Sequence, residues 1–249
     1  MFNRYKWNRI IMIVVSLVIA WSLKYHYSNS SSDDLIWILA PTAYLVQMTG
    51  DITFERETNI GYVNNENGII IAPSCSGVNF MIIVFCLSAY IGLKNIKTTP
   101  VQNLWVVFSI VSAYIYTLFV NTFRISLSIY SIKTEFLQTW FSEETVHLFE
   151  GVLVYFIFLL VYNYLLNRII NPDHAKKSCS PFGQIRKFLL PLSFYLSFTL
   201  LVPVLNYGGF PPNKDFTEFA FIVLISCSIV FTLFFLFKVC CHYVAVRVK

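Results

Sequence analysis

Long apolar runs alternate with short polar segments along the chain, and this pattern predicts a bundle of membrane helices. A helix that crosses a bilayer needs about 20 predominantly apolar residues. Several runs are slightly shorter, so each end is placed to within one turn. Six spans are predicted: residues 10–24, 76–93, 101–120, 150–166, 188–205 and 219–239.

Two segments between the first and second spans follow other patterns. Residues 35–50 are apolar but short and contain Pro41, and a crossing there would give the later loops the wrong charge sign. We therefore predict an interfacial or re-entrant helix on the outer side. Residues 51–72 alternate apolar and polar positions around a turn-forming stretch at 64–68, which predicts a small extracytoplasmic β-hairpin.

Composition agrees with an all-α membrane protein, because 57% of the residues are hydrophobic and only 12% are charged. The net charge of +5 does not indicate nucleic-acid binding, since the basic residues cluster in short loops, as expected of cytoplasmic loops. Most acidic residues fall in the opposite set of loops. We predict a multipass protein of the cytoplasmic (inner) membrane, with the lipid bilayer rather than nucleic acid as its surroundings.

These predictions divide the chain into three parts. Residues 1–34 form a membrane anchor and an outer loop, with basic residues before the span and no small-residue cleavage site after it. Residues 35–170 form a membrane core that contains the candidate site. Residues 171–249 add a cytoplasmic loop and a two-helix membrane segment.

Candidate chemistry begins at residues 72–80, where a polar segment meets an apolar run. We predict that Cys75 opens a helix, whose unpaired N–H groups and partial positive charge stabilise a thiolate and hold a developing oxyanion. Either Ser74 or Ser76 is placed to cap that helix, and Gly77 lets a backbone or substrate come close. The simpler alternative is that Cys75 is one more small buried residue.

Polar residues also interrupt the outer end of the third span. Asn121 and Arg124 are spaced to share one helical face with Ser128. An arginine at a membrane boundary commonly extends to the lipid headgroups, which is the simpler interpretation. Its position at the predicted outer end nevertheless runs against the positive-inside bias, so it calls for another explanation.

A histidine lies in the opening turns of the fourth span. His147 follows Glu144 by three residues and precedes Gly151 by four, so all three share a helical face. A neutral imidazole near pH 7 could act there as a base. The alternative is a polar residue that is solvated at the membrane boundary.

The six cysteines do not indicate disulfides or a metal site. Cys75 is the only one predicted on the outer side, because the others fall within spans or at the cytoplasmic side. Neither a CxxC nor an HExxH spacing occurs. We predict no metal and no cofactor.

Three separated segments thus place a thiol, a guanidinium and an imidazole at one membrane depth. The Cys-Ser-Gly of Cys75, the Asn-x-x-Arg of Arg124 and the His-x-x-x-Gly of His147 resemble the motifs of the exosortase/archaeosortase family of multipass cysteine transpeptidases. The resemblance covers residues 41–166, and the Pro-Thr-Ala-Tyr-Leu-Val run at 41–46 suggests the exosortase K subtype.

This resemblance implies a membrane-embedded cysteine protease and transpeptidase. Its substrate would be an exported, membrane-anchored protein with a C-terminal sorting signal, which is cleaved and passed to an acceptor that the sequence does not identify. Cys75 would be the nucleophile, His147 the general base and acid, and Arg124 the group that stabilises the transition state.

Two other functions use some of the same residues. A transporter or assembly subunit for envelope polysaccharide would bind an anionic group through Arg124 and His147 and leave Cys75 incidental. A lipid phosphatase would also use arginine and histidine, but the aspartate expected after the histidine is missing and Glu150 stands there instead.

Overall fold

A computed structural model describes the backbone of residues 4–50, 52–134, 143–170, 181–206 and 214–247, and the side chains of residues 4–50, 52–131, 145–170, 188–204 and 216–236. The chain forms two compact units, Met1–Trp140 and Phe141–Lys249, each of which is described by itself.

The first unit contains four α-helices and a small sheet among its described residues. In chain order these are α1 (Arg4–Asn29), α2 (Ile36–Thr49), β1 (Glu55–Glu57), β2 (Gly61–Asn64), β3 (Ile69–Ile71), a 3-10 turn (Pro73–Cys75), α3 (Val78–Asn95) and α4 (Thr99–Thr134). The second unit contains α5 (Glu143–Ile170), α6 (Pro181–Leu196), a π-helical turn (Ser197–Leu201), α7 (Val202–Asn206) and α8 (Lys214–Arg247).

Membrane-spanning helices dominate the described part of the chain, which confirms the predicted fold class. Five segments are long and apolar enough to cross a bilayer: Arg4–Asn29, Pro73–Asn95, Thr99–Ser131, Thr145–Ile170 and Phe216–Leu236. The sixth predicted span, 188–205, corresponds to the shorter apolar helix Phe188–Val204. The chain is therefore a multipass membrane protein.

Helix α3 is the core of the first unit. In its most apolar window 89% of the residues are buried, against 11% for α1 and 28% for α4, both of which pack against it. Close packing of α3 on α4 depends on Gly92, because a Cβ there would overlap the indole of Trp105. That indole donates from Nε1 to the Ser88 carbonyl at 3.0 Å, so a backbone carbonyl of α3 accepts a hydrogen bond from a side chain of α4.

The sheet is one strand larger than the predicted hairpin. Strand β2 is central and pairs antiparallel with both β1 and β3. The predicted hairpin joins the alternating segments that contain β1 and β3, and these two strands do not pair with each other. A hydrogen bond of 2.8 Å from Arg56 to Asp33 ties β1 to the loop after α1. This bond holds the pKa of the Asp33 carboxyl below its usual value.

Helix α2 does not have the length of a span. Its 14 residues extend about 21 Å, whereas the hydrocarbon core is about 30 Å thick. Tyr114 of α4 donates to the Trp37 carbonyl at 2.8 Å, and the hydroxyls of Thr49 and Ser126 lie 2.9 Å apart. The two contacts are separated by the same number of residues in α2 as in α4, and the later residue of one helix meets the later residue of the other. Helix α2 therefore runs alongside the second half of α4 in the same direction.

Pro41 explains the first of those contacts. Proline has no N–H, so the carbonyl four residues earlier, that of Trp37, loses its helical donor. The Tyr114 hydroxyl supplies a replacement from outside the helix. An unpaired carbonyl is costly in an apolar environment, so this bond stabilises the attachment of α2 to α4.

Aromatic side chains hold the second unit together. Phe188 of α6 makes edge contacts with Phe156 of α5 and Phe231 of α8, with ring centroids 5.5 and 5.0 Å apart. Phe156 also packs against Tyr195 at 5.3 Å. These rings join α5, α6 and α8.

We expect Tyr114→Phe to lower the free energy of unfolding by about 1–2 kcal/mol, because the Trp37 carbonyl then has no donor. In a Pro41→Ala background the new backbone N–H satisfies that carbonyl, so the same substitution should cost much less. Unfolding in detergent micelles measures both values. Tyr130→Phe, at an exposed position of the same helix, is the matched control. Equal losses in the two backgrounds would contradict this explanation.

Candidate active site

The turn that carries Cys75 is fixed by local hydrogen bonds. The Cys75 N–H donates to the Ala72 carbonyl at 2.8 Å, and the Ser76 N–H donates to the Pro73 carbonyl at 3.0 Å. Gly77 follows with a φ of 74°, a left-handed conformation that costs other L-residues roughly 1–2 kcal/mol. Glycine at this position therefore lets the chain turn sharply into α3.

Helix α3 begins three residues later than predicted, at Val78 rather than at Cys75. Its N-cap is Gly77, which has no side chain for the purpose. Ser76 is fully buried, and its Oγ accepts the Val78 N–H at 3.4 Å. Ser76 lies one residue before the N-cap. Its hydroxyl thus accepts a hydrogen bond from one of the N–H groups in the first turn of α3.

Asn121 connects α4 to this turn. Its Nδ2 donates to the Cys75 carbonyl at 2.6 Å, and its side chain is fully buried. Arg124 and Ser128 are also buried, 8% and 7% exposed, so the predicted shared face of α4 is a buried face. The structure therefore brings the Cys-Ser-Gly segment and the Asn-x-x-Arg segment together within the first unit.

Cys75 differs in exposure from the other cysteines whose side chains are described. It is half-buried, whereas Cys86 and Cys227 are only 7% and 4% exposed. The Ser74 hydroxyl lies 4.0 Å from its sulfur. Cys179, Cys240 and Cys241 lie outside the described side chains.

The end of α1 contributes residues that sequence analysis did not select. Lys24 donates from Nζ to Asn79 Oδ1 at 2.8 Å, in the first turn of α3. The same ammonium lies 5.3 Å from the centre of the Tyr27 ring. A basic residue at the outer end of the first predicted span was the available signal, since it opposes the positive-inside bias just as Arg124 does.

The histidine belongs to the second unit. His147 is the fifth residue of α5 and is half-buried, and Glu150 and Gly151 one turn later are buried. The side chain of Glu144 lies outside the described residues. An approach of the His147 imidazole to the Cys75 sulfur therefore stays a prediction.

The side chains that the structure describes contain no group of three or more histidine, cysteine, aspartate or glutamate residues that could hold a metal ion. The groups that the structure places against Cys75 are the amide of Asn121, which donates to its carbonyl, and the hydroxyl of Ser74, which lies 4.0 Å from its sulfur.

These observations define a polytopic α-helical membrane protein with a half-exposed cysteine, held in a tight turn just before its central helix. A model of the transmembrane exosortase family (Exosortase_EpsH) matches residues 32–164, more than half of the chain. The protein belongs to that family. The exosortase K subtype stays a prediction.

No curated protein and no solved structure matches the chain. The family match includes Cys75, Arg124 and His147, but it begins after α1. Family membership therefore bears on the predicted core, and the contributions of Lys24 and Tyr27 come from the structure alone.

We expect Asn121→Ala to loosen the turn selectively, because the Cys75 carbonyl loses its side-chain donor. The amides of residues 72–77 should exchange hydrogen several-fold faster, and unfolding should become easier by about 1–3 kcal/mol. Hydrogen exchange with peptide-level mass spectrometry measures the first effect. Asn103→Ala, at an exposed position of the same helix, is the control. Unchanged exchange in this segment would show that the 2.6 Å bond does not hold the turn.

Proposed function

We propose that this protein is a membrane cysteine protease and transpeptidase that cleaves a C-terminal sorting signal from exported, membrane-anchored proteins. Membership of the exosortase family supports a membrane transpeptidase role in general. The residue roles and the substrate are proposals. Cys75 is the nucleophile, His147 the general base and acid, and Arg124 the group that stabilises the transition state.

The observation that carries this proposal is the attachment of Cys75 to the face that bears Arg124. Asn121, three residues before the arginine, holds the Cys75 carbonyl at 2.6 Å, and the thiol is the most exposed among the described cysteines. A nucleophile that is fixed in place and reachable loses little entropy when it attacks. Arg124 is buried one helical turn after Asn121, and a buried guanidinium stabilises a negative oxygen more strongly than it would in water.

The reaction divides into two acyl transfers. His147 takes the proton of the Cys75 thiol, and the thiolate sulfur bonds to the scissile carbonyl carbon, whose oxygen becomes the anion beside Arg124. The C–N bond then breaks, and the imidazolium gives its proton to the departing amine. An acceptor amine, hydroxyl or water next attacks the thioester, loses its proton to His147 and releases the sulfur.

The arrangement of helices in the first unit supports an extracytoplasmic site. Asn8 of α1 donates to Gln102 of α4 at 2.8 Å, which marks one end of the bundle. The contact of Asn121 with Cys75 marks the other end. Basic residues gather at the first end: Arg4, Lys6, Arg9, Lys94 and Lys97. By the positive-inside rule that end faces the cytoplasm.

We expect Cys75→Ala to abolish processing of a co-expressed protein with a terminal motif, a hydrophobic span and a basic tail. Immunoblotting for the shorter product measures processing. Cys86→Ala removes a buried thiol from the helix that follows, α3, and should leave processing intact. Normal processing by the Cys75→Ala variant would reject the proposed mechanism.

The competing transporter function makes the reverse prediction. There Arg124→Ala would abolish function while Cys75→Ser stayed silent, because only the anion-binding groups would matter. In the proposed mechanism both substitutions are severe. Loss of one oxyanion-stabilising donor reduces the rate by roughly 100- to 1000-fold.

We expect Cys75 to react with a membrane-impermeant maleimide added to intact cells, with the modified peptide identified by mass spectrometry. Lys97→Cys, in the exposed turn between α3 and α4, should react only after permeabilisation. This comparison tests the face of the site without any assumption about substrate. Labelling of residue 97 but not of Cys75 would place the site on the cytoplasmic side.

A further inference from the structure

Strand β3 leads directly into the turn that carries Cys75. The strand ends at Ile71, and the 3-10 turn begins at Pro73. The one residue between them, Ala72, keeps an extended backbone, with a φ of −89° and a ψ of 172°. The chain therefore stays extended until the turn, so a second chain that lies along β3 is guided toward Cys75.

Backbone groups of β3 point away from the sheet. In the part of the chain that the structure describes, the strand order is β1-β2-β3, so β3 has a strand on one side only. A Cβ at Gly61 of β2 would overlap the Ile71 carbonyl oxygen, which shows that this carbonyl points toward β2. Residues of antiparallel strands alternately face the partner strand and face away from it, so the N–H and carbonyl of Ile70 and the N–H of Ala72 point away from β2.

The two edges of this sheet differ in character. Strand β1 consists of Glu55, Arg56 and Glu57, and the Arg56 side chain is bonded to Asp33 in the loop after α1. Charged side chains on an edge strand discourage pairing with another chain. Strand β3 consists of three isoleucines, and Ile70 is 49% exposed. The edge of β3 therefore lacks the charges that protect β1.

The distance from this edge to the thiol suits an extended peptide. The Ala72 carbonyl accepts the Cys75 N–H at 2.8 Å, so pairing along the edge ends at Ala72. A 3-10 helix rises about 2.0 Å per residue, which places Cys75 about 6 Å beyond Ala72. An extended chain covers that distance in about two residues, at about 3.3 Å each. A peptide paired with Ile70 and Ala72 thus presents a carbonyl to Cys75 about two residues beyond its paired segment.

We propose that the edge of β3 that faces away from β2 binds the substrate as an added β-strand, through the backbone of Ile70 and Ala72. The bound segment is an extended stretch of the exported protein next to the bond that Cys75 cleaves. This inference rests on the proposed function in assigning Cys75 as the nucleophile. In this mode of recognition main-chain hydrogen bonds supply affinity, and side chains at alternate positions of the peptide supply specificity.

Disulfide cross-linking in intact cells tests the pairing without any need for catalysis. A variant with Ile70→Cys and Cys75→Ala is co-expressed with a protein that has a terminal motif, a hydrophobic span and a basic tail. That protein carries a single cysteine at successive positions before its span. We expect the yield of the cross-linked product on immunoblots to alternate with a period of two, because every second side chain of a paired strand lies on the face of residue 70.

A cysteine off the edge is the matched control. Glu66→Cys, in the exposed turn between β2 and β3, replaces Ile70→Cys in the same Cys75→Ala background and should show no alternation. Three results with Ile70→Cys would overturn the proposal. These are a uniform yield along the substrate, a period of three to four residues, which indicates a helical substrate, and the absence of any cross-link.

A backbone substitution gives a second measurement. Ile70→Pro removes an N–H that does not pair with β2, and edge strands accept proline at such positions. Ile70→Val keeps both the N–H and a β-branched side chain. We expect processing by the proline variant to be roughly three- to tenfold slower than by the valine variant, as for one lost backbone hydrogen bond. Equal rates would contradict the proposal, and if Ile70→Pro is not recovered folded, the cross-linking pattern decides alone.

Failure of this inference and failure of the proposed function are distinguishable. If Cys75→Ala leaves processing intact, the proposed function fails, while the cross-linking pattern still decides whether β3 binds an extended segment. If Cys75 is essential and the pattern does not alternate, the proposed function stands and the strand pairing fails. Loss of processing in Cys75→Ala together with an alternating pattern supports both.

Discussion

Backbone carbonyl groups within a bilayer must find donors inside the protein, since lipid tails offer none. Two carbonyls of the first unit meet side-chain donors where regular helical bonding is interrupted, that of Trp37 because of Pro41 and that of Cys75 in the 3-10 turn. Helix α4 supplies both donors, through Tyr114 and Asn121. This one long helix thus allows α2 to contain a proline and α3 to be preceded by a turn.

Irregular backbone at this place is also what makes a reactive cysteine possible. A thiol in the middle of a packed helix has neighbours on all sides, as Cys86 does in α3. The turn lifts Cys75 out of that packing and leaves it partly accessible, while the hydrogen bond from Asn121 keeps it in place. The side chain of Asn121 therefore meets two requirements at once. It supplies a donor to a backbone carbonyl, and it fixes the residue that carries the thiol.

Local patterns were sufficient to predict the helices and part of the site. Apolar runs located the spans, and the spacing of Asn121 and Arg124 predicted a shared face because a helix repeats every 3.6 residues. The central strand β2 was missed, since its four residues begin with glycine and show little alternation. Because serine is a good cap, the sequence predicts Ser74 or Ser76 in that role, but the sharp turn requires the left-handed backbone of Gly77.

Contacts between distant segments could not be predicted in this way. The hydrogen bond from Lys24 to Asn79 joins residues far apart in the sequence, and no periodicity connects them. The predicted approach of His147 to Cys75 depends on the family motif rather than on any local pattern.

The role of α1 follows from the burial of α3. That helix is almost completely covered, and α1 packs on it, although α1 itself lies outside the family match. An isolated anchor would need only apolar residues, whereas α1 carries a lysine that reaches the first turn of α3. A charged residue near the bilayer is expensive unless it has a partner, and Lys24 has one in Asn79. The first helix therefore also supports the start of the central helix, four residues after Cys75.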